Sequence, residues 1–186
     1  MKVTRAQAEE NRERILDNAA QLFRERGFDG IGLNDLMQAA GLTRGGFYGH
    51  FESKDDLAAQ ATQRALQANR TQWKQQTERS LPAWVKTYLS DAHRDHPGAG
   101  CGLAALAGDA ARGGAAVKGV FAEGVESLVA TLQGQMPAAD EGGRREQALA
   151  MLSTLVGALL LSRAVGDGAL SRELREAARS QLPAGG

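Results

Sequence analysis

Hydrophobic positions at the amino-terminal end of the chain follow a helical period. Over residues 7–26, apolar side chains recur at spacings of three, four and seven, which places them in one stripe on a helix. Gly27 ends this helix, because glycine is favoured just after a helix C-terminus. A second periodic set over residues 33–40 predicts a helix of about two turns, which Gly41 closes.

Two further helices are predicted directly after Gly41. Thr43 is a candidate N-cap for a third short helix, which would hold Phe47 and Phe51 four residues apart on its inner face. Ser53 is a candidate N-cap for a fourth, longer and mostly polar helix that runs to about residue 78. We therefore expect three short helices that fold onto one another and a long helix that leads away from them.

The remainder of the chain is richer in alanine and glycine and keeps the helical period. No strand pattern is present, so the sequence predicts an all-α fold of about nine helices. Loops are predicted at residues 96–100, 137–143 and 166–168, where glycine and proline cluster. The predicted helices of this part cover residues 83–94, 103–112, 116–136, 144–165 and 171–181.

Composition and charge narrow the class of protein only slightly. The amino terminus lacks the apolar run of a secretory signal, so a cytoplasmic location is expected. The apolar stretch over residues 148–165 is interrupted by polar residues, which favours a buried interface helix over a membrane span. The formal net charge is +0, so any attraction to nucleic acid must come from a local group of basic residues.

Residues 34–51 read NDLMQAAGLTRGGFYGHF, which has the spacing of a helix-turn-helix. A short helix is followed by a turn that contains Gly41 and then by a second short helix. That second helix presents Arg44, Gly45, Tyr48 and His50 on its outer side. The pattern predicts a module that places one helix against DNA.

The sequence RERGFDGIGLNDLMQAAGLTRGGFYGHFESKDDL resembles the amino-terminal domain of TetR-family repressors. The resemblance covers roughly the first sixty residues and rests on Gly27-Phe28, on residues 39–42 at the turn and on residues 47–54. It implies a three-helix DNA-binding domain at residues 1–53 and a larger helical ligand-sensing and dimerisation domain at residues 54–186.

The resemblance also implies a set of DNA contacts. The helix over residues 44–50 is expected to enter the major groove, with Thr43 and Arg44 near base edges or phosphates. An arginine that donates two hydrogen bonds to guanine discriminates bases by about 1–3 kcal/mol. Tyr48, His50 and Lys54 match positions that hold the phosphate backbone. The expected DNA-binding residues are Thr43, Arg44, Gly45, Tyr48, His50 and Lys54.

Glycines distinguish this sequence from the usual pattern of the family. Gly32 stands where such sequences often carry serine or threonine as the cap of the second helix. Gly46 and Gly49 lie within the recognition helix, and each interior glycine costs about 1 kcal/mol relative to alanine. We therefore expect a recognition helix that is loose until DNA orders it.

The helix over residues 144–165 is the candidate dimer seam, because its leucines alternate with small residues that allow close approach. The resemblance implies a four-helix bundle across a two-fold axis, which suits a palindromic operator. The alternative is a core helix within one chain. The residues assigned to the dimer interface are Leu152, Val156, Leu159 and Leu160.

The sensor is expected in a cavity among the middle helices, as the resemblance implies, and its ligand would be a small apolar or electrophilic molecule. Cys101 precedes a predicted helix, whose dipole can lower the pKa of a thiol, although an inert buried cysteine is the alternative. The residues assigned to the pocket or sensor are Cys101, Trp84, Tyr88, His93, Leu106 and Phe121.

Motifs for other chemistry are not found in the sequence. It lacks a nucleophile elbow, a phosphate loop and a zinc motif, so we expect neither an enzyme nor a bound cofactor. His93 and His96 lie among acidic residues, but a solvated loop explains them better than a metal site. The sequence predicts a homodimeric repressor that an inducer releases from double-stranded operator DNA. The alternative is a helical small-molecule carrier or thiol-redox protein without sequence-specific DNA binding.

Overall fold

The computed structural model describes residues 4–137 and 140–182, and within these ranges the regular elements are all helical. Nine α-helices are formed by the described residues, as the sequence predicts, together with two short 3-10 helices at Arg44–Gly49 and Pro97–Ala99. The α-helices are α1 (Arg5–Arg26), α2 (Leu33–Ala39), α3 (Lys54–Arg79), α4 (Leu81–Tyr88), α5 (Asp91–Asp95), α6 (Gly102–Arg112), α7 (Ala115–Gln133), α8 (Glu141–Ala164) and α9 (Ala169–Gln181).

Glycines and a serine set the boundaries of the first helices. Gly27 follows α1 with a φ of 73°, and Gly41 follows α2 with a φ of 70°. Both values lie in the left-handed region, which glycine adopts without a steric penalty. The Ser53 hydroxyl accepts a hydrogen bond from the backbone N–H of Asp56 at 3.0 Å and caps α3. The predicted ends of these helices are therefore confirmed.

The third helix differs from its prediction. Residues 44–49 form a 3-10 helix, and the Thr43 side chain makes no capping hydrogen bond. The Gly46 N–H donates to the Thr43 carbonyl at 3.0 Å, which is the tighter 3-10 spacing. Three of these six residues are glycines, and each one weakens an α-helix because it raises the entropic cost of ordering the backbone.

The helix predicted over residues 83–94 is two helices. α4 ends at Tyr88, and the Ser90 side chain accepts from the His93 N–H at 3.2 Å to cap α5. The loop predicted over residues 96–100 contains the second 3-10 helix. Part of the loop predicted over residues 137–143 lies outside the described residues, and α8 begins within it, capped by Asp140.

The buried apolar side chains among the described residues form two clusters. The head cluster joins α1, α2, the first 3-10 helix and the first half of α3, and the body cluster joins the rest of α3 to α4 and α6–α9. Leu106, Ala110 and Val117 come from α6 and α7, yet they are buried in the head cluster. The head therefore completes its core with side chains from the following helices.

Polar contacts fix α1 against the body. The Arg24 guanidinium donates to the carbonyl oxygen of Gly98, in the second 3-10 helix. The backbone N–H of Phe28 donates to Asp109 of α6 at 3.4 Å. The segment around Gly98 is therefore connected directly to the end of α1.

Candidate nucleic-acid interface and internal cavity

Two phenylalanines anchor the first 3-10 helix in the head cluster. The side chains of Phe47 and Phe51 are 0% and 3% exposed, and their ring centroids lie 5.7 Å apart. Their spacing of four residues puts both rings on the inner side of the segment. The residues between and before them are thereby directed toward solvent.

The turn before this helix sets its position. The N–H of Gly41 donates to the Gln38 carbonyl, and the N–H of Leu42 donates to the Met37 carbonyl, each at 2.9 Å. These bonds satisfy carbonyl groups at the end of α2 while Gly41 reverses the chain. The result is a helix-turn-helix whose second helix lies on the surface.

The six predicted DNA-binding residues all lie on or beside this surface segment. Thr43, Arg44 and Gly45 are exposed, and Tyr48 is 72% exposed. His50 and Lys54 are half-buried at the far end of the segment and the start of α3. Tyr48 is a large apolar side chain that the fold leaves in water, and its ring packs edge-on against Phe47 at 5.2 Å.

Basic residues of the head fall into two groups. Arg64 of α3 pairs with Asp17 of α1 at 2.6 Å and also contacts Glu13, so it holds two helices together. Arg44 and Lys54, in contrast, form no ion pair within residues 4–137 and 140–182. Their charges remain available for phosphate groups, which supplies the local positive charge that the sequence requires.

The body contains an aromatic cavity of about 340 Å³. Trp73, Trp84 and Tyr88 pack with ring centroids 5.2–5.3 Å apart and form its apolar wall. Polar side chains of α3 complete it, and these are Asn69, Gln72 and Gln76. Such a mixture of aromatic surface and a few polar groups is typical of small-molecule sites.

His93 and Cys101 lie at one end of this aromatic cavity. The backbone N–H of Cys101 donates to Nε2 of His93 at 2.9 Å, and Nδ1 of His93 lies 2.7 Å from the Tyr88 carbonyl. The thiol of Cys101 is fully buried, and its sulfur accepts from the N–H of Ala104 at 3.4 Å. The hydroxyl of Tyr88 is buried without a hydrogen-bond partner among the described residues.

Of the two alternatives for Cys101, the structure favours the inert buried cysteine over a thiol with a lowered pKa. Burial raises the pKa of this thiol, and the nearby Tyr88 side chain and backbone N–H groups lower it by less. Burial likewise raises the pKa of Tyr88 and lowers that of His93, because each loses water around its charged form. All three groups are therefore neutral near pH 7.

Four of the six residues assigned to the pocket or sensor lie together at the aromatic cavity. Trp84, Tyr88, His93 and Cys101 line the aromatic cavity. Leu106 and Phe121 do not, because Leu106 is buried in the head cluster and Phe121 packs between the two clusters. The contribution of α3 was missed, although its polar residues 69, 72 and 76 share one helical face with Trp73.

The predicted dimer residues divide between two faces of α8. Leu152 and Leu159 are 5% and 0% exposed and belong to the core of their own chain, so their assignment to a dimer interface is wrong. Val156 is partly buried, and Leu160 is 42% exposed. Leu149 and Leu161 are also exposed on this helix. The exposed face of α8 therefore includes Leu160 but neither Leu152 nor Leu159.

α8 is long and apolar enough to cross a membrane by length and composition, with 39% of its most apolar window buried inside the chain. It packs against α7 and α9.

In the described residues, histidine, cysteine and carboxylate side chains form no group that could hold a metal ion. The acidic Asp95 is instead bonded to Arg94 at 2.6 Å.

An exposed helix-turn-helix at the amino end of an all-helical chain is the arrangement of DNA-binding regulators. Residues 15–61 match the family model described as bacterial regulatory proteins of the tetR family. The amino-terminal part of the chain is therefore similar to the DNA-binding domain of this family.

Curated relatives agree over the same part of the chain. The HTH-type transcriptional regulator AcrR of Shigella flexneri is 44% identical over 54 residues, which are 29% of this chain and 25% of that protein. The HTH-type transcriptional regulator SAB2452 of Staphylococcus aureus (strain bovine RF122 / ET3-1) is 41% identical over 71 residues, or 38% of each chain. The chain thus matches between a quarter and two fifths of the length of these relatives.

Solved structures match over nearly the whole chain. The reduced form of E. coli NemR has a TM-score of 0.75 at 21% identity and covers 94% of this chain and 99% of its own. A TetR-family transcriptional regulator from Agrobacterium tumefaciens has a TM-score of 0.76 at 21% identity, with coverage of 95% and 100%. These likenesses show that the body as well as the head has the fold of such regulators.

Proposed function

We propose that the protein is a non-enzymatic, cytoplasmic transcriptional repressor that binds a palindromic operator as a homodimer. Residues 1–53 act as the DNA-binding domain in this proposal, and residues 54–186 sense a ligand and dimerise. The observation that supports this proposal is the segment over residues 44–51, in which Phe47 and Phe51 are buried while Arg44 and Tyr48 face solvent. Arg44 reads bases, and Tyr48 contacts the phosphate backbone together with the residues that follow it.

The DNA-binding step is tested by fluorescence anisotropy with a duplex from the region upstream of the protein's own gene. Arg44→Ala removes a base contact and is expected to weaken binding about tenfold or more at physiological salt. Arg70→Ala is the matched control, because Arg70 is an exposed arginine of α3 beyond the head cluster. Equal affinity of Arg44→Ala and the wild type would refute the assignment of the reading helix.

Dimerisation is assigned to the open face of α8. Leu149, Leu160 and Leu161 are 41%, 42% and 52% exposed, and Leu170 at the start of α9 is 55% exposed. A Cβ added at Gly157 on α8 would meet no atom within 4 Å, so this part of α8 is unobstructed. A second copy of the chain covers these side chains in the proposed dimer, and a two-fold axis matches two half-sites of DNA.

The oligomeric state is measured by analytical ultracentrifugation. Leu160→Asp places a charge in the proposed interface and is expected to give monomers at concentrations where the wild type is a dimer. Tyr48→Asp is the control, because it makes a similar change on a side chain that is exposed in the head. A dimeric Leu160→Asp protein with wild-type stability would contradict the interface.

The aromatic cavity is the proposed inducer site, and its walls favour a small, largely apolar and aromatic molecule. Trp73, Trp84 and Tyr88 offer ring surfaces, and the unpartnered hydroxyl of Tyr88 can donate to an acceptor on the ligand. A ligand here contacts Ala99 and Gly100, next to the Gly98 carbonyl that Arg24 of α1 holds. Movement of this segment is the proposed route by which the ligand displaces the head.

A carrier or thiol-redox protein is the competing function. The unpartnered Tyr88 hydroxyl and the aromatic cavity fit a carrier equally well, whereas the buried thiol of Cys101 argues against direct oxidation. The two functions are distinguished by sequence-preferential DNA binding, which only the repressor requires. The absence of sequence-preferential binding to any duplex, with and without ligand, would favour the carrier.

A further inference from the structure

A second cavity lies between the head and the body, separate from the aromatic cavity. Its volume is about 440 Å³, and its walls come from α1, the segment around residues 94–97, α6 and α8. The lining contains charged side chains of both signs, which are Arg24, Glu25, Arg94, Asp95, Arg163 and Asp167. We call it the arginine cavity.

Arg24 of α1 and Arg163 of α8 line the arginine cavity without an acidic partner. Arg24 donates to the carbonyl of Gly98, and Arg163 donates to the carbonyls of Arg94 and His93 at 3.0 and 2.7 Å. Within the described ranges, no carboxylate lies at ion-pair distance from either guanidinium. Glu25 and Asp95 attract Arg24 and Arg163, respectively, only from beyond ion-pair distance, so neither guanidinium has a direct anionic partner.

Each guanidinium also keeps one nitrogen without a hydrogen bond. Nε of Arg24 and Nη1 of Arg163 are buried, and neither finds a partner among the described residues. Burial lowers the pKa of both groups, because the charged form loses its hydration. Buried donors without partners are rare in proteins and cost folding free energy. Solvent does not reach either atom in this conformation, so an acceptor in the cavity meets these donors once the guanidinium groups turn toward it.

The carboxylates on the cavity wall are engaged elsewhere. Asp95 and Asp167 bind Arg94 at 2.6 and 3.0 Å, and Glu25 accepts from the side chain of Gln21 at 2.9 Å. They do not compete for the two free guanidinium nitrogens. Their negative charge nevertheless weakens the attraction of the cavity for multiply charged anions.

We propose that Arg24 and Arg163 bind a small oxyanion, carried by a carboxylate or a phosphate group, and that this anion ties α1 of the head to α8 of the body. A guanidinium fork matches the two oxygens of either group. Arg24 and Arg163 otherwise bind backbone carbonyls of the intervening segment at residues 93–98, so the occupied site would link α1 and α8 directly. It is distinct from the inducer site, which lies among aromatic side chains.

The test uses the purified full-length protein without DNA, with sodium phosphate and sodium acetate as probes. Sodium chloride at equal ionic strength corrects for screening. Titration calorimetry and thermal melting are expected to show one site per chain for at least one probe. The preferred probe distinguishes a phosphate from a carboxylate ligand. Arg163→Gln and Arg24→Gln should each weaken that binding about tenfold, since each removes a charge-assisted pair.

Two controls separate this site from other basic surfaces. Arg44→Gln removes a charge from the candidate DNA-binding surface, and Arg112→Gln removes an exposed charge at the end of α6. Both variants should bind the probe as the wild type does. Arg24→Gln provides the test independently if Arg163→Gln fails to fold. The proposal is overturned if neither probe binds the wild type beyond the chloride control, or if Arg44→Gln alone abolishes binding.

Discussion

The imidazole of His93 accepts a hydrogen bond from the backbone N–H of Cys101 at 2.9 Å. Because Nε2 is the acceptor in this bond, the proton of the neutral ring resides on Nδ1, which donates to the Tyr88 carbonyl at 2.7 Å. The neutral ring thus connects the end of α4 to the start of α6. A second proton on the ring would occupy Nε2 and break the bond to Cys101.

This bond predicts a pH dependence of stability. Burial lowers the His93 pKa, so the unfolded chain binds a proton more readily than the folded chain between the lowered value and about 6.5. The free energy of unfolding should therefore fall as pH drops from 7 to 5.5. Urea unfolding at both pH values measures it.

His93→Gln is expected to flatten this dependence, because glutamine does not titrate. His96→Gln is the control, since His96 is exposed and should leave the dependence unchanged. A pH dependence that survives in His93→Gln would assign the effect to another group.

Cys101 should react slowly with alkylating reagents in the folded protein. Its thiol is fully buried and its pKa is raised by burial, so the reactive thiolate is scarce and inaccessible. Alkylation by iodoacetamide at pH 7.5, followed by mass spectrometry, should be about 100-fold slower in the native than in the urea-unfolded protein. Comparable rates in the two states would instead support a thiol sensor.

Two glycines of the head should respond to alanine in opposite directions. Gly41 has a φ of 70°, and a Cβ there would meet no atom within 4 Å, so Gly41→Ala tests backbone strain alone. It should destabilise the protein by roughly 1 kcal/mol. Gly49 also has open space around it but no positive φ, and Gly49→Ala should stabilise by about 0.4–1 kcal/mol. Chemical denaturation measures the free energy of unfolding of both variants and of the wild type. Changes of the same sign in the two variants would contradict the backbone explanation.

Arg175 of α9 is a buried structural arginine. Its guanidinium donates to the carbonyl of Leu89 at 3.0 Å and to Asp91 at 2.6 Å. Arg175→Ala leaves that carbonyl without this donor and should cost about 2–3 kcal/mol of stability. The matched variant Arg172→Ala changes an exposed arginine of the same helix and should stay within about 0.5 kcal/mol. Similar losses in a melting experiment would show that Arg175 has no special role.

Sequence patterns predicted the helices of the head well, because their ends carry local signals. Gly27, Gly41 and Ser53 each fix a boundary through their own backbone or hydroxyl chemistry. The break between α4 and α5 was missed, because Ser90 interrupts a stretch that keeps a helical period. The 3-10 form of residues 44–49 was also missed, although the glycines that weaken an α-helix were recognised.

Burial was harder to predict than helix position. A helical period shows that Leu152 and Leu160 are apolar positions, but it does not decide which face meets the same chain and which stays open. Similarly, Leu106 fits a cavity wall by spacing, whereas the fold places it in the head cluster. Both outcomes depend on contacts between residues distant in sequence, which local patterns do not contain.

The shared core of the head limits how the helix-turn-helix head can be transferred to another protein. Leu106, Ala110 and Val117 of α6 and α7 are buried among side chains of α1–α3. A chimaera that joins residues 4–53 to the body of another regulator would lose these three partners unless the new body supplies apolar side chains of similar size at the same places. A transplanted head therefore needs the apolar surface beneath it, from α6 and α7, to be transplanted as well.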